Sequence, residues 1–151
     1  MRSYPPKIVI EEQGLRDGLQ SEKPFMPTDK KLEIIGLVAD AGIKRIQVTS
    51  FVHPKLVPQM ADAEDICKGL DHSRNCLYSG LVLNTKGLER AARAGLKHVA
   101  ASISASDTHS RKNANASLPE ARQRIGEMIK TGKKTRAYDS GGAAMCIWLP
   151  V

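Results

Sequence analysis

Arg16 and Asp17 stand side by side in "QGLRDGLQSEK", residues 13–23, directly behind the apolar run Ile8, Val9, Ile10. A carboxylate at the mouth of a strand is a ligand for a hard divalent cation such as Mg²⁺ or Mn²⁺. A guanidinium beside it can hold a substrate carboxylate or stabilise an enolate oxygen. Taken alone, the dipeptide reads first as a surface ion pair in a turn. Other polar side chains gather where later strands should end: Gln20, Thr49 and Ser50, Asn84, then Ser104, Ser106 and Asp107. His53, His72, His98 and His109 are scattered without a His-x-His pair, and Cys67, Cys76 and Cys146 form no CxxC pattern.

The elements that must position these residues alternate. Residues 8–10 read as a compact strand. "PTDKKLEIIGLVADAG" follows as a helix with Thr28 as N-cap and Gly42 as the residue that closes it. "IKRIQVTSF" is a second strand, with Ile46 and Val48 on one face and Gln47 and Thr49 on the other. "MADAEDICKGL" is a helix ending at Gly69. "CLYSGLVLN" and "TKGLERAARAG" form the third pair, and "KHVAASISAS" with "SLPEARQRIGEMIKTG" the fourth, capped by Ser117 and ended by Gly132. The fold class is therefore α/β, a (βα)4 unit with a parallel sheet. The absence of GxGxxG and the polar residues at strand C-terminal ends favour the first half of a TIM (β/α)8 barrel over an open flavodoxin-like sheet.

Composition narrows the function classes. The 151 residues are 41% hydrophobic and 26% charged, as in an ordinary globular domain. No stretch approaches the roughly 20 apolar residues of a membrane span. Pro5, Pro6 and Lys7 interrupt any signal-peptide core. A net charge of +7 is spread along the chain, without the aromatic–basic interleaving of single-strand binders. We expect no nucleic-acid partner and no membrane, a cytoplasmic protein, and a phosphate-bearing small substrate; a homo-oligomer is compatible.

Four ordered blocks, "RDGLQSEK", "QVTSFVHPKLVPQM", "LNTKGLERA" and "SASDTHSRKNANAS", resemble the 3-hydroxy-3-methylglutaryl-CoA lyase family, DRE-TIM metallolyases with a pyruvate carboxyltransferase-type domain. The resemblance covers roughly residues 7–134. It implies carbon–carbon cleavage of a 3-hydroxy-3-methylglutaryl-CoA-type acyl-CoA to acetyl-CoA and acetoacetate with a divalent metal. It makes Asp17 a metal ligand and Arg16 the group that stabilises the enolate. Ser50 would contact the acid end of the substrate, Lys86 the acyl-CoA and Asn113 the substrate side, with Gln20 in support. Gln47 stands where the family usually has glutamate, which keeps the shape and removes the charge. The family's His-x-His ligands and its loop cysteine have no counterpart here. A Claisen-type condensing synthase of the same superfamily and a non-catalytic half-barrel fragment are the alternatives.

Residues 135–151 depart from the family, which reads something like "RGGLQCAFG" at the fifth strand. Codons for residues 140–149, read one nucleotide later, permit that string. We therefore expect a half-barrel over residues 1–134 and an aberrant tail over 135–151, out of frame from near Thr135. A half-barrel with one metal ligand should have little or no lyase activity by itself.

Overall fold

The computed structural model describes residues 6–134 and the backbone of 144–148. The expected tail, 135–151, thus lies outside the described residues except for Ala144–Trp148. Five parallel strands run β1 (Glu11–Glu12), β2 (Arg45–Ser50), β3 (Leu77–Leu81), β4 (His98–Ser102) and β5 (Ala144–Trp148). They are hydrogen-bonded in sequence order, β1-β2-β3-β4-β5. A doubly wound sheet needs a reversal in strand order. Sequential order without one is the winding of a barrel and excludes the flavodoxin-like alternative. The helices between them are α1 (Thr28–Asp40), α2 (Ala63–Gly69), α3 (Thr85–Arg93), α4 (Asp107–Ala114) and α5 (Leu118–Lys134). Among the described residues, no helix is long and apolar enough to cross a membrane.

Local chemistry sets the boundaries. Pro27 precedes α1 as its N-cap, so Thr28 is its first residue and not the cap expected from sequence. Gly42 takes φ +94° and Gly95 φ +78°, left-handed conformations that close α1 and α3 at little steric cost. Asn84 caps α3, its side chain accepting from the Gly87 amide at 2.9 Å. The Ser117 amide and hydroxyl both donate to the Glu120 carboxylate at 2.7 Å, a capping box at the head of α5. Ile46, Val48, Ile66, Val82, Leu88 and Val99 fill the core between sheet and helices.

Three expectations are corrected. Residues 8–10 are not the first strand. Parallel register pairs Glu11 with Arg45 and Glu12 with Ile46, so the pairing begins after the apolar run. Ile8, Val9 and Ile10 are accordingly 76%, 57% and 66% exposed. Gly132 does not end the fourth unit's helix, since α5 continues to Lys134. An additional helix, α4, fills the expected loop because Ser106 caps it, accepting from the His109 amide at 3.3 Å.

Candidate active site

The inner face of the sheet and the loops beyond its C-terminal ends enclose a cavity of about 570 Å³. Glu11, Arg16, Asp17, Gln20, Gln47, Ser102 and His109 supply its polar lining, and Val52, Leu56, Val57, Leu81 and Leu83 much of its apolar wall. This is the end of the sheet where barrels of this winding carry their chemistry.

The first βα loop opens with a wide helical turn, Gly14–Gly18. The amides of Arg16 and Asp17 both donate to the Gln13 carbonyl, at 3.0 and 2.7 Å. Leu15 is buried in the core and anchors the turn. The two residues after it, Arg16 and Asp17, then part company. The Arg16 side chain is 14% exposed and that of Asp17 70%. Arg16 is fixed by three side-chain oxygens: Nε donates to Gln47 Oε1 at 2.5 Å, one terminal nitrogen to Asp17 Oδ1 at 2.7 Å, the other to Gln13 Oε1 at 2.8 Å. Burial pulls its pKa below the ordinary arginine value, opposed by the charges of Asp17 and Glu11. A guanidinium remains charged through such a shift.

Gln47 reaches the cavity from β2 while being only 2% exposed. The β2–β3 pairing slips between Gln47 and Thr49, a bulge that breaks strict alternation at the site. Gln47 faces Arg16, and the Thr49 hydroxyl reaches Met60 Sδ at 3.8 Å.

Of the residues expected at the site, Arg16, Asp17, Gln20 and Gln47 are brought together. Ser50 is fully buried at the end of β2, its hydroxyl 3.5 Å from the Leu81 carbonyl, and does not line the cavity. Lys86 is exposed on α3, also away from the lining. Asn113 belongs to α4, and its side chain lies outside the described set. Asn84 is spent on capping α3.

Glu11 and His109, like Gln13 and Ser102, line the cavity but were not expected there from the sequence. Glu11 accepts from the Ser79 hydroxyl at 3.1 Å, placing a carboxylate at the cavity floor. Its position follows from the register of β1, which residues 8–10 had obscured. His109 sits in the first turn of α4 with Nδ1 2.9 Å from Ser104 Oγ. The signal for it was the Ser106 cap, which turns the next residues into a helix over the cavity mouth. Among the described residues, no three of His, Cys, Asp and Glu gather to hold a metal ion. This set offers Asp17 and does not by itself fit a bound cation.

The comparisons with known proteins agree with this geometry. The family model HMGL-like matches residues 7–145. Hydroxymethylglutaryl-CoA lyase YngG of Bacillus subtilis is 41% identical over 139 residues, covering 89% of this chain and 46% of that protein. The mitochondrial hydroxymethylglutaryl-CoA lyase of Rattus norvegicus is 41% identical over 150 residues, 99% of this chain and 46% of the relative. The crystal structure of the Bacillus subtilis HMG-CoA lyase superposes with a TM-score of 0.86 at 36% identity, over 98% of this chain and 48% of that one. An HMG-CoA lyase from Acinetobacter baumannii, solved with coenzyme A and 3-methylmalate, gives 0.84 at 29% identity, over 99% and 47%. The chain spans about half the length of the curated relatives it matches. It corresponds to their N-terminal half, a half of a TIM barrel, and belongs to the HMGL-like family.

Proposed function

We propose that the cavity is the acyl-CoA half-site of a hydroxymethylglutaryl-CoA lyase-type carbon–carbon lyase. The observation that carries this reading is the Arg16 guanidinium, half-buried at the cavity and fixed by three side-chain oxygens. A guanidinium has five N–H donors, so two remain for a ligand. Retro-Claisen cleavage removes the proton of the 3-hydroxyl, breaks the bond between C2 and C3, and moves its electron pair onto the thioester as an enolate. Acetoacetate leaves, and C2 takes a proton to give acetyl-CoA. The two N–H groups left on Arg16 would stabilise the negative charge that develops on the thioester oxygen. Gln47 and Gln13 keep the fork in place without neutralising it. The apolar wall of Leu56, Val57 and Leu81 suits the methyl and methylene groups of the acyl chain.

In the proposed reaction a divalent cation, Mg²⁺ or Mn²⁺, would supply Lewis-acid polarisation, but the described residues do not hold one by themselves. Asp17, 70% exposed and paired with Arg16, is the carboxylate this chain would contribute. Ser50, Lys86 and Asn113 remain proposed substrate contacts, resting on the family resemblance alone.

The test mixes the purified chain with 3-hydroxy-3-methylglutaryl-CoA and Mg²⁺, following thioester binding by calorimetry and acetyl-CoA release together. Binding with marginal turnover is expected, since these residues present one metal ligand. No binding would overturn the assignment, and turnover at an ordinary enzymatic rate would overturn the half-site reading.

A further inference from the structure

Two loops wall the cavity from different βα units. Residues 13–27 carry Arg16 and Gln20, and residues 51–62 carry Val52, Leu56 and Val57. A buried ammonium lies between their far ends. Lys31, on α1, is 2% exposed and Asp62 9%. Its Nζ lies 2.7 and 2.9 Å from the two Asp62 carboxylate oxygens and donates to the Gln59 carbonyl at 2.6 Å. The Thr28 hydroxyl donates to the same carboxylate at 2.8 Å. The Phe25 ring lies 4.5 Å from Nζ, a cation–π contact from the first loop. The Gln59 side-chain amide donates to the Glu22 carbonyl, a second tie between the loops.

The other end of the second loop is held in the same manner. Arg90, on α3, donates to both Glu64 oxygens at 2.7 and 3.0 Å and to the Val52 carbonyl at 3.2 Å. Between these anchors Leu56 is 76% exposed at the cavity mouth. A buried ion pair is a weak source of net stability, because desolvation offsets its Coulombic gain. Its charges and remaining hydrogen-bond sites are nevertheless satisfied in few arrangements. An apolar pair of similar volume can fill the same space without fixing the Gln59 carbonyl or the Phe25 ring.

We propose that Lys31, through its buried pair with Asp62, is a positioning residue for the candidate site. It sets the spacing between the wall bearing Arg16 and Gln20 and the wall bearing Leu56 and Val57. Its weight for catalysis rests on the lyase reading, while its effect on loop order does not.

The experiment compares the unchanged chain with the double variant Lys31→Met/Asp62→Leu, which leaves no orphaned charge. Amide hydrogen exchange is read separately for residues 20–26 and 52–60 and for strands β2 and β3, with the thermal midpoint and 3-hydroxy-3-methylglutaryl-CoA affinity. The expected result is exchange at least tenfold faster in both loops, unchanged protection in the strands, and affinity at least tenfold weaker. Loops that exchange at the original rate, or loops and strands that accelerate together, would overturn the proposal. Should the double variant not fold, Thr28→Val removes one bond to Asp62 without stranding a charge. At least threefold faster exchange confined to the same loops is then expected, and no such change counts against the proposal. Loop loosening together with an unchanged chain that binds no thioester leaves the positioning role standing and overturns the lyase reading.

Discussion

Arg16 Nε donates to Gln47 Oε1 across 2.5 Å, and this bond ties the first βα loop to the second strand inside the cavity. Gln47→Ala removes the acceptor and leaves a largely buried charged donor short of a partner. The expected cost is about 1.5–3 kcal/mol in urea unfolding. Gln47→Glu keeps an acceptor at the same place and should cost less than the alanine variant. Equal stability of the alanine variant and the parent would show that Gln47 does not hold Arg16.

The register of β1 predicts unequal costs for two apolar truncations. Ile66 is fully buried beneath the sheet, whereas Val9 is 57% exposed. Ile66→Ala should cost about 2–5 kcal/mol. Val9→Ala should stay within roughly 0.5 kcal/mol, as surface changes usually do. Comparable losses at both positions, measured by denaturant titration, would restore residues 8–10 to the core.

Burial and the nearby Glu64 carboxylate push the Cys67 thiol up to about 12, and it packs in the core. The thiolate is the nucleophile. At pH 8, Cys67 should resist alkylation in the folded chain, while the half-buried Cys76 reacts before it. Mass mapping after iodoacetamide treatment checks the order.

Acid should weaken the fold through His98. Burial, then the charges of Arg45 and Lys97, hold its pKa below the ordinary 6.5. The unfolded chain therefore binds the proton more readily, and stability contributed by neutral His98 falls as pH drops below about 6.5. His98→Asn should flatten unfolding free energy against pH below the ordinary histidine value of 6.5 relative to the parent. An unchanged slope would contradict the assignment. Glu64, held low chiefly by its hydrogen bonds from Arg90, adds a loss at lower pH, as its carboxylate protonates.

Much of the fold was legible because its signals are local. Gly42 and Gly95 close helices, Ser117 with Glu120 opens one, and short apolar runs mark β2 to β4. The first strand was not, because Ile8, Val9 and Ile10 are as β-prone as any core strand and only pairing with Arg45 and Ile46 selects Glu11–Glu12. Arg16 and Gln47 were legible as site residues, but their mutual bond joins residues 31 positions apart, and no local pattern pairs them. Asn84 looked like a strand-end functional group and is a helix cap. Glu11 and His109 were hidden by register and by an unforeseen helix. The Lys31–Asp62 pair joins residues 31 positions apart, beyond the reach of any local pattern.

The central claim is that the cavity around Arg16 and Gln47 binds an acyl-CoA thioester. Backbone amide NMR of the chain titrated with 3-hydroxy-3-methylglutaryl-CoA tests it most directly, with Arg16→Met in parallel. Shifts confined to residues 13–20, Gln47, Ser102 and His109, and abolished in the variant, are predicted. Shifts elsewhere, no shifts, or shifts that survive the loss of Arg16 would contradict it.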